Sequence, residues 1–200
     1  MKQLRSIENN VIFLDFDGVI NDNGLEVQGP VKAESYLVLR RLVRETQSRI
    51  VVISSWLMNG TKSRQKKIKL FLNKLGFSNI DFIDPNFTGV FLGHSLSDRA
   101  LGIIHYLSKN RVDGYVILDD EYDFDYQLLR LNYYKTNMFR GLIMEDLPKI
   151  KLKAPFYQYS KFLRYEYRKL DGEYECAIDN LVKVLIKVRD KTENDRNNDF

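Results

Sequence analysis

Three short runs along the chain are apolar at every position: Val11-Ile12-Phe13-Leu14, Ile50-Val51-Val52-Ile53 and Tyr115-Val116-Ile117-Leu118. Unbroken apolarity suits a strand covered on both faces, and runs this short and rich in β-branched residues do not make helices. Each therefore predicts a central strand of a mainly parallel sheet. Weaker strand signals lie at Ile80–Ile83 and Tyr133–Thr136. Between the strands the period becomes helical. Beyond Gly29-Pro30, the residues Tyr36, Leu37, Leu39, Leu42 and Val43 share one face. Ile68, Phe71, Leu72 and Leu75 give a second helix with a glycine stop at Gly76, and Leu101, Ile104, His105 and Leu107 after Ser97-Asp98 give a third. Strands alternating with helices imply βαβ crossovers and an α/β fold.

After Pro148 only helical patterns remain. One spans roughly Tyr157 to Leu170, and a second is marked by Tyr174, Ala177, Ile178, Leu181, Val182, Leu185 and Val188. The division expected is therefore a catalytic domain over 1–147 without a large cap, a helical basic and aromatic extension over 148–191, and a polar, disordered tail over 192–200.

With 200 residues, 44% hydrophobic and 29% charged, the composition is that of a soluble globular domain. No apolar run approaches the roughly 20 residues that span a bilayer, and no signal peptide is evident, so a cytoplasmic protein without a membrane partner is expected. The lone Cys176 rules out an intramolecular disulfide and a cysteine-built zinc site. His94, in a segment read as a loop, and His105, on a helix, lack metal-ligand spacing. The net charge of +4 is mild, but Lys149, Lys151, Lys153, Lys161 and Arg164 fall in a stretch, Pro148 to Tyr165, with no acidic residue. Over 148–170 these cations alternate with aromatics. The stretch is either an amphipathic helix packing its rings on the domain or a stacking surface for single-stranded nucleic acid.

Each of the three best strands ends in oxygen-bearing side chains: Asp15-Phe16-Asp17, Ser54-Ser55 and Asp119-Asp120. Ligands of open parallel sheets bind beyond the carboxyl ends of the strands, so these carboxylates and hydroxyls are expected to face one crevice. Crowded carboxylates require protons or a cation, and an all-oxygen set favours a hard ion, best Mg2+, with Asp15, Asp17, Asp119 and Asp120 as ligands. Residues at i and i+2 on an extended strand point the same way, so Asp15 and Asp17 are expected to address the same substrate from adjacent positions. One can attack a phosphoryl group while the other moves a proton.

The segment VIFLDFDGV, Val11 to Val19, resembles motif I of the haloacid dehalogenase (HAD) superfamily of phosphohydrolases. The resemblance implies a HAD-like Rossmannoid sandwich in which Asp15 is the nucleophile, forming an aspartyl-phosphate, and Asp17 the general acid and base. It places Ser54 at motif II, Asp119-Asp120 at the acidic motif IV and Arg99 at the cationic motif III, with Ser54, Ser55 and Arg99 binding phosphate; Lys109 and Lys62 are alternatives to Arg99. The order and spacing are most similar to the HAD domains of Swiss-army-knife RNA-repair proteins, through Ser54-Ser55-Trp56, Arg99, Asp119-Asp120, Lys135-Thr136-Asn137 and Gly141-Leu142. Two positions depart from that pattern: Leu57 stands in place of an Arg, and Asn137 in place of an acid. The function this implies is a Mg2+-dependent phosphomonoesterase acting on a large phosphorylated substrate such as a nucleic-acid 3′ or 5′ end. Nucleotide, small-molecule or protein phosphatase activity is the alternative, and a non-catalytic binding module the remaining one.

Overall fold

The computed structural model describes residues 9–21, 30–54, 57, 62–83, 90–91, 94–95, 98–121 and 132–153. In chain order the elements are β1 (Asn10–Leu14), α1 (Ala33–Thr46), β2 (Arg49–Val52), α2 (Lys62–Lys74), β3 (Ile80–Phe82), β4 (Val90–Phe91), β5 (His94–Ser95), α3 (Asp98–Lys109), β6 (Gly114–Asp119) and β7 (Tyr133–Lys135), followed by a 3-10 turn, Met144–Asp146. Five strands form one parallel sheet in the order β3-β2-β1-β6-β7.

The three all-apolar runs are the three central strands, and their burial explains their composition. Val11 to Leu14, Ile50 to Val52 and all of β6 are buried, because helices cover both faces of the sheet. The chain steps from β1 to β2 to β3 in one direction and then returns across the sheet to β6. Right-handed crossovers therefore put α1 and α2 on one face and α3 on the other. Side chains agree: Tyr36 of α1 donates its hydroxyl to the Leu75 carbonyl beside α2 (3.0 Å), whereas Phe13 of β1 meets Tyr106 of α3 edge to face at 5.6 Å. Helix α1 buries Ser35, Val38, Leu39 and Leu42, spaced as one helical face. Gly76 adopts a φ of +89° just beyond α2, the left-handed stop expected there.

Strand boundaries shift by one residue from the sequence expectation, within the usual fraying of element ends. One assignment is corrected. The segment read as a loop around His94 contains an antiparallel pair, Val90–Phe91 with His94–Ser95, too short to leave a periodic signal. Beyond residue 147 the chain is still tied to the sheet. Ile150 lies in the core, and Lys153 exchanges backbone hydrogen bonds with Tyr115 (2.9 and 3.1 Å). The expected helices near 157–170 and 174–188, and the tail from 192, lie outside the described residues. No helix among the described residues is long and apolar enough to cross a membrane.

Candidate active site

Strand register assembles the site. Leu14 lies opposite Val52 on one side and Leu118 on the other, so the next residues, Asp15, Ile53 and Asp119, stand level at the carboxyl edge, with Ser54 one position beyond. Two further ladder bonds hold this edge: Asp15 N–H to the Leu118 carbonyl and Ile53 N–H to the Leu14 carbonyl, both 3.0 Å. Asp15 and Asp119 are buried, at 2% and 0% exposure, and Ser54 is buried beside them. One carboxylate oxygen from each of Asp15, Asp119 and Asp120 lies within 4.8 Å of the other two.

Arg99, in the first turn of α3, answers that charge. Its Nη1 is 2.8 Å from Asp119 Oδ2 and 3.4 Å from Asp15 Oδ2, and its Nη2 is 3.2 Å from Glu121 Oε2. Lys109, offered by the sequence as an alternative, sits at the opposite end of the same helix, and Lys62 is exposed on α2. Asp119 Oδ1 also accepts the Glu121 N–H at 3.0 Å. One guanidinium does not balance the set. Burial, with the charge of Asp119 second, pushes the Asp15 carboxyl up to about 7, against the opposing pull of Arg99, the Ser54 hydroxyl and the Phe16 backbone. Asp120 is also raised, first by burial and then by Asp119. Asp15 Oδ1 is buried, with no donor in hydrogen-bond geometry. A buried oxygen without a donor inside a cluster of carboxylates fits a hard divalent cation.

The chain departs from the simple i, i+2 expectation at Asp17. The strand ends at Leu14 and turns at Phe16, whose carbonyl accepts the N–H groups of Val19, Ile20 and Asn21 (3.0 to 3.2 Å). Asp17 therefore lies beyond the strand, in an isolated bridge with Asn21, and its carboxylate is not part of the cluster formed by Asp15, Asp119 and Asp120. Of the four carboxylates expected to face the crevice, the structure brings Asp15, Asp119 and Asp120 into one group.

Gly18 joins this turn to the acidic pair. Its φ is +65°, and a Cβ built there would come within 2.2 Å of Asp120 Oδ2. Thr136 fixes the same peptide from the other side, donating its hydroxyl to the Gly18 carbonyl at 2.8 Å. Gly18→Ala combines a left-handed backbone, costing about 1–2 kcal/mol, with displacement of Asp120. It is expected to lower turnover at least tenfold and to weaken Mg2+ binding in calorimetric titration; unchanged cation affinity would show that Asp120 is not held by this contact.

The two departures from the family pattern have structural roles. Leu57 is buried in the core, and Asn137 uses Oδ1 to accept the N–H groups of Phe139 (3.0 Å) and Arg140 (3.1 Å), closing the turn after β7. Ser55 and Trp56 lie outside the described residues. Sequence reasoning missed Glu121 as a partner of Arg99 and Thr136 as an anchor of Gly18. Glu121 directly follows the acidic pair and was open to notice, whereas nothing local in the sequence links Thr136 to Gly18.

Residues 11–147 match the family model of the HAD domain in Swiss Army Knife RNA repair proteins. The chain belongs to this family. No curated protein and no solved structure matches it. Membership in the HAD family supports a HAD-type phosphohydrolase, and it agrees with the parallel sheet and with the carboxylates at the strand ends. HAD domains typically use Mg2+, and the Asp15, Asp119 and Asp120 group could hold such an ion.

Proposed function

We propose that this HAD domain is a Mg2+-dependent phosphomonoesterase that removes a terminal phosphate from a polynucleotide through an aspartyl-phosphate on Asp15. The observation that carries the reading is the surplus of negative charge at the strand ends: oxygens of the buried Asp15 and Asp119 and the half-buried Asp120 lie within 4.8 Å of one another, and among the described residues Arg99 is the cation that reaches Asp15 and Asp119. Asp15, Asp119 and Asp120 would hold the ion, which offsets charge on the transferring phosphoryl.

A carboxylate oxygen of Asp15 attacks phosphorus as the bond to the leaving oxygen breaks, and the Asp17 carboxyl gives that oxygen its proton. Asp17, now ionised, takes a proton from water. The water oxygen attacks the same phosphorus, inorganic phosphate departs, and Asp15 regains its carboxylate. Arg99, Ser54 and Ser55 are assigned to the phosphate oxygens. The polynucleotide assignment rests on the RNA-repair description of the family and on the short connections flanking the site. Residues 15–32 lead from β1 to α1 and residues 83–97 from β3 to α3, too little chain for a folded cap domain over the crevice.

The test is phosphate release from an aryl phosphate, nucleotides, phosphopeptides, and 3′- and 5′-phosphorylated oligonucleotides. EDTA is expected to abolish release and Mg2+ to restore it, with an oligonucleotide the best substrate by kcat/KM. Undiminished activity in EDTA would overturn the metal role, and preference for a free nucleotide would overturn the substrate class.

A further inference from the structure

Helix α2 is the most strongly basic element described. Its 13 residues include Lys62, Arg64, Lys66, Lys67, Lys69 and Lys74 and no acid, and the whole stretch from Gln47 to Ile80 contains no Asp or Glu. Only Ile68 and Leu72 of the helix are buried. At 100° per residue Lys62, Lys66 and Lys69 form one exposed stripe, and Lys67 and Lys74 lie on the same outward side. No carboxylate among the described residues pairs with any of these five lysines. An isolated helix with this charge repels itself, because like charges at i, i+4 are destabilising, so the pattern works against local helix stability and calls for a polyanion outside.

Placement connects the stripe to the crevice. Helix α2 runs back from the carboxyl edge of β2 towards the start of β3, so its first residues lie on the side of the sheet where Asp15 stands. Phe71, near its far end, still meets Phe16, the residue after Asp15, with ring centroids 6.3 Å apart. Lys62 precedes Phe71 by nine residues, roughly 13 Å of helix at 1.5 Å per residue. The first two turns of α2 therefore rise past the strand ends and flank the mouth of the crevice. The cations Lys149, Lys151 and Lys153 are placed differently. Lys153 pairs with Tyr115 near the start of β6, four residues and roughly 13 Å of strand below Asp119.

We infer that the Lys62, Lys66 and Lys69 face of α2 is the track along which the phosphodiester backbone of a single-stranded polynucleotide runs into the crevice. Successive lysines in the stripe are separated by about 4.5 to 6 Å of helix rise, so they form a continuous positive line that a single-stranded backbone can follow. This rests on the proposed phosphomonoesterase reading for what happens at the terminal phosphate, but backbone binding can be measured without turnover.

The test uses the full chain carrying Lys62→Gln, Lys66→Gln and Lys69→Gln together, with the corresponding triple Lys→Arg variant to preserve charge. The probe is a fluorescent, 5′-phosphorylated 12-nucleotide single strand titrated by anisotropy at several salt concentrations. Neutralisation is expected to weaken binding by about tenfold or more and to reduce the salt slope by about two, since each phosphate contact on a single strand contributes about 0.7. The Arg variant is expected to bind as the parent does, and hydrolysis of an aryl phosphate to be equal in all three proteins. Unchanged oligonucleotide affinity and salt slope in the Gln variant would overturn the inference. So would loss confined to a Lys149→Gln, Lys151→Gln, Lys153→Gln variant, or parent binding to anionic vesicles but not to the oligonucleotide. If the parent binds the strand through α2 but releases no phosphate from any substrate, the phosphomonoesterase reading fails and the backbone track stands.

Discussion

Asp15→Asn is expected to abolish phosphate release and, in metal-free protein at pH 8, to raise the melting temperature. The first effect follows from removing the nucleophilic carboxylate with little change of shape. The second follows from where the carboxylate sits. Burial and Asp119 push the Asp15 carboxyl up to about 7 in the fold, from an ordinary value of 3.8. Between those two pH values the folded chain retains a proton that the unfolded chain has released. Stability from this residue is thus complete below pH 3.8, falls as pH rises through the window, and is lost above about 7. There the buried charge costs a few kcal/mol at about 1.4 kcal/mol per pH unit, and an amide avoids that cost. The variant's advantage in thermal melts should vanish near pH 4. Mg2+ should raise the melting temperature of the parent more than that of the variant. Detectable turnover by the variant, or a melting temperature below the parent's at pH 8, would contradict the assignment.

Arg99→Ala should act in the opposite direction on stability. The guanidinium lies 2.8 Å from Asp119 Oδ2 and 3.4 Å from Asp15 Oδ2, with its side chain 11% exposed. Removing one member of a buried charged group leaves the others uncompensated, typically at a cost of 3–5 kcal/mol. For a chain of this size the expected fall in melting temperature is about 10 °C in metal-free protein at pH 8, with no measurable turnover. Mg2+, or a pH near 5 where Asp15 is protonated, should recover part of the loss, because either relieves the same repulsion. A melt unchanged by Arg99→Ala would mean that the ion pairs contribute nothing in solution.

The sheet and the crevice floor were legible because their signals are local. A strand buried on both faces must be apolar throughout, as Val11 to Leu14 and Tyr115 to Leu118 are, and polar side chains at its carboxyl end mark where a ligand can sit. Arg99 was harder to assign. A cation near a helix start is common, and only the packing of α3 against the face carrying Phe13 brings this one to Asp15. Asp17 lies past the reach of the strand rule: alternation holds along a strand, but this strand stops at Leu14, and the backbone beyond it closes on the Phe16 carbonyl. The Thr136 contact with Gly18 joins residues 118 positions apart, and the short β4–β5 hairpin has no repeat long enough to read.

The order in which the sheet's neighbours occur along the chain also constrains its assembly. Strand β1 is central, yet one of its partners, β6, begins at Gly114, about a hundred residues later. Until that partner has been synthesised, a nascent chain exposes one whole edge of β1, whose last four side chains are apolar, and such an edge invites pairing with other chains. Contacts this distant in sequence also slow folding, because a large loop must close before the ladder compensates for the lost entropy. Arg99 precedes Asp119 by only 20 residues and can meet it within the α3–β6 unit. The cation can therefore be in place when β6 docks and carries the acidic pair against Asp15, so that the step completing the core does not bring the carboxylates together unshielded.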